Sequence, residues 1–348
     1  MAEEHRDTDR RRGRRSAGRF CALVLLSCAA LLLAALLGLV LGASGVGAAD
    51  VWALATGGEL AAKARSILVS IRIPRVIAGV LAGAAFSVSG ALIQEVLDNP
   101  LASPNIIGAN SGAGLAVLSV SALAQAGAAV VLPLPAAAFL GALLASGLIL
   151  LVSSRAGVSR LTVVLAGVAV NAVFTAGMNA IFIIAPNAYL VSSTYLVGGL
   201  SGIVMSDLGL PAVLICAGIA LASLLAPRLN VLSLGSQAAH AVGVPVAALR
   251  AAGLIVASLL AGAAVSFSGL IGFIGLMVPH VARHFVGHDL RRTIPVSALW
   301  GAAFTLLADL LARTLFAPYE LPVGILMSAI GGPFFIFLLM KGKGYRDE

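Results

Sequence analysis

Long apolar stretches follow one another along most of the chain, separated by short segments that contain glycine, proline or charged residues. A bilayer core about 30 Å thick is crossed by a helix of roughly 20 apolar residues, so each stretch predicts a membrane-spanning helix. Ten spans are predicted, near residues 20–42, 73–94, 106–124, 128–152, 161–185, 206–226, 249–268, 271–286, 294–316 and 322–340. The segment 187–204 is interrupted by three glycines, Gly198, Gly199 and Gly202, which favours a short re-entrant or interfacial segment.

Part of one span is repeated in sequence. Residues 81–90 are LAGAAFSVSG and residues 260–269 are LAGAAVSFSG, so the copies begin 179 residues apart and differ only by an exchange of Phe and Val. Five predicted crossings separate the second span from the seventh. Because this number is odd, the copies should run in opposite directions, as in an inverted repeat with halves 20–204 and 205–341. The alternative is that helices rich in small residues converge on similar sequences.

Composition and charge agree with a membrane protein and give its orientation. Hydrophobic residues make up 60% of the 348 residues and charged residues 10%, whereas soluble domains contain roughly 25% charged residues. Seventeen of the 22 Lys and Arg residues fall on one side of the ten spans, which is assigned to the cytoplasm. The prediction is a basic cytoplasmic tail (1–19), one transmembrane domain (20–341) and a cytoplasmic C-terminal tail (342–348), surrounded by lipid. Basic loops this short argue against a nucleic-acid partner.

Five cations lie on the opposite side, and two of them stand three residues apart. These are Lys63, Arg65, Arg72, Arg75 and Arg313. Arg72 and Arg75 flank Pro74 at the start of the second span and share a helical face. They could snorkel to the membrane interface, or they could form a docking patch for an acidic partner, since guanidinium groups bind carboxylates in a bidentate manner.

Asp309 and Arg313 are predicted to form an ion pair inside the membrane, because they lie four residues apart on one helical face. A charge near the bilayer centre costs at least about 2.5–3.5 kcal/mol, so a partner or an aqueous cavity is expected. A proton relay is the alternative, and it is less favoured because the other acidic residues fall in loops or at helix ends.

Three histidines, His280, His284 and His288, recur every four residues and are candidates for a metal site, although packing and loop contacts are favoured. The three cysteines lie in apolar spans without metal-like spacing. The chain has no GxxxxGK[ST] phosphate-binding loop and no nucleophile–base arrangement. An ATPase or another enzyme is therefore not expected, and no cofactor or metal is predicted.

Several ordered motifs resemble the FecCD-type permeases, the transmembrane subunits of bacterial ATP-binding-cassette (ABC) importers for iron–siderophores, haem and vitamin B12. They are RIPRVIAGVLAGAAFSVSGALIQEVLDNPLASPNIIGANSGAG (72–114), LAGVAVNAVF (165–174), YLVGGLSG (195–202), SGLIGFIGLMVPHVAR (268–283), ADLLAR (308–313) and ELPVGILMSAIGGPFFIFLLMK (320–341). The resemblance implies an all-α, type II importer permease fold with about ten transmembrane helices in the bacterial cytoplasmic membrane.

The resemblance also implies partners. Two permease subunits, identical or related, would join two cytoplasmic ATPase subunits, which carry the ATP and Mg²⁺, and an extracytoplasmic substrate-binding protein. Arg72, Arg75 and Arg313 match the family's arginines for docking that binding protein. The segment 232–250 matches the loop that couples to the ATPase, with candidate contacts at Ser236, Gln237, Ala238, Ala239, His240 and Gly243. Ser236 and Gln237 replace the acidic residue of many relatives, which leaves a specific salt bridge to the ATPase in doubt.

The resemblance places the transport pathway at the interface between two permease subunits. Asn171, Phe174 and Met178 share a face of the fifth span and are candidates for lining it, with ordinary packing as the alternative. Gly198 and Gly199 are candidates for an external gate. The hypothesis is an importer permease for a ferric siderophore, with haem or vitamin B12 as alternative ligands and a proton-coupled transporter using Asp309 as the competing class.

Overall fold

A computed structural model describes residues 2–42, 45–129, 131–155, 159–241 and 243–342, with side chains except at 2–17, 236, 339 and 341–342. These residues form α-helices joined by short π- and 3₁₀-helical turns, and they contain no β-strand. The helices are α1 (Ala2–Val40), α2 (Ala48–Thr56), α3 (Ala62–Ile67), α4 (Ile73–Val96), α5 (Ala109–Gln125), α6 (Leu134–Arg155), α7 (Arg160–Ile184), α8 (Pro186–Val197), α9 (Gly209–Leu229), α10 (Ser236–Ala241), α11 (Val246–Ser268), α12 (Ile274–Val286), α13 (Leu290–Thr314) and α14 (Val323–Gly342).

Each predicted span overlaps one helix. Seven helical segments of the described chain are long and apolar enough to cross a membrane: Gly18–Val40, Ala62–Val96, Leu134–Arg155, Arg160–Ile184, Gly209–Leu234, Val246–Ser268 and Leu290–Thr314. The other three predicted spans correspond to α5, α12 and α14, of which α12 has only 13 residues. The predicted short segment at 187–204 contains most of the 12-residue helix α8.

The second span is longer than the sequence pattern predicts. Helix continues without a break from Ala62 through α3, a π-helical turn at Leu68–Arg72 and α4. Pro74 follows this turn closely, and its ring nitrogen cannot donate the usual hydrogen bond to the carbonyl four residues earlier. A locally widened turn accommodates such a missing donor, so the helix passes through the proline instead of beginning there.

Helix α4 lies at the centre of the fold and packs against α11, α12 and α13. Its closest approaches occur at glycines. A Cβ atom on Gly83 would lie 2.2 Å from the carbonyl oxygen of Gly301, and one on Gly90 would lie 1.8 Å from that of Gly275. Since lipid tails supply little hydrophobic driving force between helices, contact through small residues is a principal source of packing energy.

The two copies of the repeated decapeptide run antiparallel, as the odd number of crossings predicts. On the adjacent helices α4 and α11, Ser89 donates a hydrogen bond to the carbonyl of Ala257 (2.7 Å), and Gly253 packs against Val96. Advancing along α4 therefore means moving backwards along α11. Both helices are mostly buried, whereas α1 and α7 have few buried residues and lie at the periphery.

Candidate functional site

One end of α4 carries a cluster of three arginine and two acidic side chains, which we call the arginine end: Arg72, Arg75, Asp309, Arg313 and Glu320. Arg75 is its centre. The Nε and Nη2 atoms of Arg75 donate to the two carboxylate oxygens of Asp309, at 2.9 and 3.0 Å. The Nη1 atom of Arg75 donates to Glu320 Oε2 at 2.7 Å. The Arg75 and Asp309 side chains are 9% and 5% exposed, whereas that of Glu320 is 45% exposed.

Arg72 and Arg313 bind the C-terminal end of α1. Arg72 donates to the carbonyls of Leu39, Val40 (2.9 Å) and Val46 (3.2 Å), and Arg313 donates to the carbonyl of Gly38 (2.6 Å). The last carbonyls of a helix have no partner within the helix and form the negative end of its dipole, so a guanidinium group there is doubly favourable. The three predicted docking arginines are therefore brought together, but each is buried and bonded within the chain.

Two cavities flank the arginine end. The larger, of about 300 Å³, is lined by Gly42, Ile67, Ile71, Arg72, Arg75, Arg313 and Glu320. The smaller, of about 190 Å³, is also lined by Arg75 and Glu320, and it extends to Gly199 and the start of α14. Arg75 and Glu320 thus form a wall shared by both cavities.

The predicted contact between Asp309 and Arg313 is present, but it is the weaker of the two ion pairs that Asp309 forms. Arg313 Nε lies 3.9 Å from Asp309 Oδ2, whereas Arg75 binds both carboxylate oxygens of Asp309 through hydrogen bonds. The spacing of four residues along one helix predicted Arg313 as the partner of Asp309. It could not predict Arg75 as a partner, because Arg75 lies 234 residues away in sequence.

The other end of α4 carries a second polar group, which we call the histidine end: Gln94, Glu95, His280, Arg283 and His284. Arg283 donates to the carbonyl of Ala91 (3.1 Å) and to Gln94 Oε1, and its Nη2 lies 3.7 Å from Glu95 Oε2. The amide nitrogen of Gln94 donates to the carbonyl of Leu276 at 3.1 Å. Sequence analysis assigned no role to Gln94, Glu95 and Arg283; polar residues next to a predicted span were the available signal.

His280 and His284 share a face of α12, whereas His288 lies beyond the end of that helix at Val286, so the prediction of one common helical face is wrong for His288. All three histidines nevertheless line a cavity of about 600 Å³. Within the described part of the chain, no group of three or more His, Cys, Asp or Glu side chains is arranged to hold a metal ion. His280 instead stacks edge-on against Phe334, with ring centroids 6.4 Å apart. Packing is thus the interpretation that the geometry favours.

Two polar contacts close the loops near the histidine end. Arg160, at the start of α7, pairs with Asp98 at 2.6 Å. Asp289 caps α13 by accepting from the backbone N–H of Arg291 (2.9 Å) and from the amide of Asn230. Partial burial tends to raise the pKa of Asp289, but these hydrogen bonds and the nearby arginines outweigh it and lower that pKa below its ordinary value.

The predicted ATPase-coupling residues lie on or just after the short helix α10. Gln237, Ala238 and His240 are exposed, whereas Ala239 is fully buried; the Ser236 side chain is outside the described part. Gly243 has φ +79° and accommodates the turn after α10, where its N–H donates to the carbonyl of His240. Ala239 is therefore small because of internal packing, and Gly243 is glycine because of its backbone conformation.

The predicted pathway residues on α7 face the inside of the subunit. Phe174 is 9% exposed, Met178 packs against Gly114, and Asn171 donates to the carbonyl of Asn105 and accepts from Ser111.

A neighbouring face of α7 is exposed and carries two polar residues one helical turn apart, Thr175 and Asn179. The small residue Ala172 precedes them on the same face and is also exposed. An amide side chain facing lipid is costly, so this face is suited to water or another subunit. The spacing of four residues between Thr175 and Asn179 was the signal that sequence reasoning missed.

Gly198 and Gly199 lie at a junction of three helices. Gly198 has φ +81°, and a Cβ atom there would lie 2.9 Å from the backbone nitrogen of Ile271. Its carbonyl accepts from the N–H of Gly324 at the start of α14, and Gly199 donates to the carbonyl of Ser268 at the end of α11. The two glycines therefore connect α8, α11 and α14.

This architecture defines a class of protein. An all-helical membrane protein with an inverted repeat, a polar cluster at each end of its central helix and exposed polar residues on a peripheral helix has the features of a transport subunit. The chain belongs to the FecCD transport family, which it matches over residues 30–341.

Similar proteins include iron and haem permeases. The chain is 36% identical to the Fe(3+)-citrate import system permease protein YfmE of Bacillus subtilis, over 78% of this chain and 81% of the relative. It is 39% identical to the hemin transport system permease protein HmuU of Yersinia pestis, over 81% and 85%. It is 38% identical to the iron(3+)-hydroxamate import system permease protein FhuB of B. subtilis, over 92% and 84%.

A solved structure supports the same fold. A transporter described as an ABC transporter of the metal-chelate type, in an inward-facing conformation, superimposes with a TM-score of 0.80 and 26% identity, covering 92% of this chain and 99% of that one. The PsaBC structure from Streptococcus pneumoniae matches with a TM-score of 0.55 at 18% identity, over 76% and 90%, which concerns the fold alone.

Proposed function

We propose that this chain is the permease subunit of an ABC importer that moves a ferric siderophore across the bacterial cytoplasmic membrane by alternating access. The observation that carries the proposal is the similarity to iron(3+)-citrate and iron(3+)-hydroxamate permeases, which covers 78% and 92% of the chain. Haem, for which HmuU is named, and vitamin B12 are the alternative ligands. The chain performs no covalent chemistry and is not itself an enzyme; a separate ATPase subunit binds ATP and Mg²⁺, and this chain binds no cofactor.

The distribution of basic residues supports an orientation with both termini in the cytoplasm. The arginine end then faces the extracytoplasmic side, and α10 faces the cytoplasm together with the histidine end. The segment 343–348 of the predicted C-terminal tail lies outside the described residues. Residues 2–19 of the proposed N-terminal tail are helical and continue within α1 into the first predicted span.

The arginine end is proposed to dock the substrate-binding protein through acidic side chains. Three guanidinium groups line one open cavity there, so a carboxylate entering it would meet several donors. Because the arginines are buried, the partner would have to insert a side chain into the cavity and could not meet the arginines on a flat surface. This geometry is a refinement of the surface patch that the sequence suggested.

The exposed part of α10 and the turn at Gly243 are proposed to seat two ATPase subunits, one on each of two permease subunits. ATP-driven closure of the ATPases would then move α10 and switch the pathway. The exposed polar residues Thr175 and Asn179 support a pathway between α7 and a second permease, identical or related. On this proposal their face, and not the face with Asn171, Phe174 and Met178, contacts the transported ligand.

A proton-coupled transporter is less well supported. It would couple through Asp309, but that carboxylate is held by two hydrogen bonds from Arg75 and is 5% exposed. Both carboxylate oxygens of Asp309 are thus already bound within the chain, and little of the side chain is open to water.

Transport tests the main proposal. The permease is reconstituted in liposomes with its ATPase and binding protein, and uptake of a ferric hydroxamate, ferric citrate, haemin and cobalamin is compared. We expect ATP-dependent uptake of a ferric chelate and none with a catalytically inactive ATPase. Uptake that continues without the ATPase and follows a proton gradient would contradict the proposal, whereas uptake of haemin or cobalamin alone would reassign only the ligand.

Docking is tested with a matched pair of variants at the same end of the molecule. Arg313→Gln removes a guanidinium group from the cavity, and Arg65→Gln removes an exposed one outside it. We expect Arg313→Gln to weaken binding of the binding protein several-fold more than Arg65→Gln, and high salt to reduce the difference. Equal affinities at low salt would remove the docking assignment.

A further inference from the structure

Glu320 holds a position that the docking proposal leaves unexplained. It is the half-exposed carboxylate between the two cavities, and it accepts a hydrogen bond from Arg75 Nη1 at 2.7 Å. Asp309 holds the opposite edge of the same guanidinium group and is only 5% exposed. Arg75 therefore has one carboxylate partner fixed in the core and another at the surface.

Glu320, the partner at the surface, occupies the Nη1 donor of Arg75, which is the donor that an incoming acidic side chain could reach. The cavity of about 300 Å³ is lined by Arg75 and Glu320, whereas Asp309, on the other edge of the guanidinium group, is buried on α13. Short charge-assisted hydrogen bonds to carboxylates are the strongest contacts available to a guanidinium group. Glu320 already makes the contact that docking requires.

We propose that Glu320 is an internal competitor for Arg75, which it binds in the undocked permease and releases when an acidic side chain of the partner takes its place. Glu320 is on this view a positioning residue that sets the affinity of docking. The inference rests on the proposed docking at the arginine end and extends it by naming the group that is displaced.

The occupied Nη1 donor of Arg75 favours exchange of one carboxylate for another over simple addition. The arginine end holds three cations, Arg72, Arg75 and Arg313, and two anions, Asp309 and Glu320. A further carboxylate beside Glu320 would place two like charges against one Nη1 atom, which is unfavourable in a partly buried site. Replacing Glu320 keeps the number of ion pairs constant, and the half-exposed Glu320 can turn towards solvent.

The backbone around Glu320 connects this exchange to the rest of the fold. Leu321 donates to the carbonyl of Ala312 (3.1 Å), and Gly324 donates to the carbonyl of Gly198 (3.0 Å). Gly199 lies in the same small cavity as Glu320. Release of Glu320 thus acts on the short segment that joins α13 to α14 and the Gly198 junction, the region proposed as the external gate.

The test uses the assembled transporter in lipid nanodiscs, with the purified binding protein as the probe. Glu320→Gln keeps the size of the side chain and removes its charge. We expect this variant to bind the partner about two- to fivefold more tightly, the range set by a half-exposed ion pair. Glu59→Gln is the matched control, because Glu59 is exposed on the same predicted side and makes the same change in net charge.

Two further variants test the competitor role of Glu320 independently. In an Arg75→Gln background, adding Glu320→Gln should no longer tighten binding. Glu320→Asp keeps the charge on a shorter side chain, so its affinity should fall between those of the wild type and Glu320→Gln, even if the latter assembles poorly. The same order of affinities should be found at physiological salt, with smaller differences.

The outcomes are distinguishable. If the wild type docks but Glu320→Gln binds no more tightly than Glu59→Gln, the competitor role is overturned while the importer proposal stands. Tightening that persists without Arg75 also overturns it. If the wild type binds no acidic partner at this end, the docking proposal and the competitor role fail together.

Discussion

A buried guanidinium group is stabilised at each end of α4, but by different kinds of partner. At both ends a buried guanidinium group lies close to a carboxylate on another helix or loop. Arg75 binds Asp309 directly with two hydrogen bonds, whereas Arg283 lies 3.7 Å from Glu95 and relies on Gln94 and the carbonyl of Ala91. The arginine end is held by ion pairs, and the histidine end is held mainly by neutral acceptors.

This difference has a consequence for partners. The arginine end combines three cations with two carboxylates, one of them half exposed, so it retains a positive surplus beside an open cavity. The histidine end is closer to balance, because Glu95 accompanies Arg283 and the neighbouring pair of Asp98 and Arg160 has no net charge. A buried guanidinium group needs hydrogen-bond acceptors, and these acceptors can be neutral. Of the two ends, the arginine end has the excess of cations that suits it to binding an acidic protein.

The largest expected effect concerns the ion pair at the arginine end. Arg75→Met leaves Asp309 buried and without its bidentate partner, and breaking a buried pair in this way costs about 3–5 kcal/mol. Arg283→Met at the other end should cost clearly less, since Glu95 loses only a long contact. Thermal unfolding in detergent measures both. The double variant Arg75→Met with Asp309→Leu should recover much of the loss, and equal losses at both ends would contradict the comparison.

The next effect concerns the packing of α4 near the histidine end. Gly90→Ala places a Cβ atom 1.8 Å from the carbonyl oxygen of Gly275, so α4 and α12 must separate. Overpacking of this kind costs typically about 1–3 kcal/mol. The control is Gly147→Ala on α6, where the added Cβ atom would meet no other part of the structure within 4 Å. Gel-filtration yield and melting temperature should fall for the first variant and stay near wild type for the second.

A smaller effect is expected at the cap of α13. Asp289→Ala removes a side chain that accepts the Arg291 N–H, and losing such a cap costs about 1 kcal/mol. Since the pKa of Asp289 is lowered in the folded protein, its contribution is present above the ordinary carboxyl pKa and is lost as the pH falls through the lowered value. Melting curves between neutral and acidic pH should therefore converge for wild type and Asp289→Ala.

The smallest effect is expected for the exposed pair of Asp98 and Arg160, whose side chains are 54% and 37% exposed. Exposed pairs contribute about 0.2–1 kcal/mol and are screened by salt. Asp98→Asn should lower the melting temperature slightly in low salt and leave it unchanged in high salt. A loss as large as that of Arg75→Met would show that the histidine end also depends on a strong ion pair.

The sequence was sufficient to predict the helices, but it was not sufficient to predict which polar side chains bind one another. Most of the ten spans were predicted within a few residues, but the start of the second was placed at residue 73 although helix runs from Ala62. The proline that suggested a helix start instead follows a π-helical turn that accommodates its missing donor, so the helix continues through it. Likewise the face of α7 with Asn171 and Phe174 was chosen from spacing alone, which does not distinguish it from the neighbouring face with Thr175 and Asn179.

What the sequence by itself determined is the set of long apolar helices and the antiparallel relation of the two repeat copies. In lipid the backbone must satisfy its hydrogen bonds internally, so an apolar stretch of sufficient length has little choice but to form a helix. Only the tertiary structure decided that Asp309 pairs with Arg75, that Arg72 and Arg313 bind the end of α1, and that Glu320 stands between two cavities. These contacts join residues up to 275 positions apart, and they arise from close glycine-mediated packing that no local periodicity encodes.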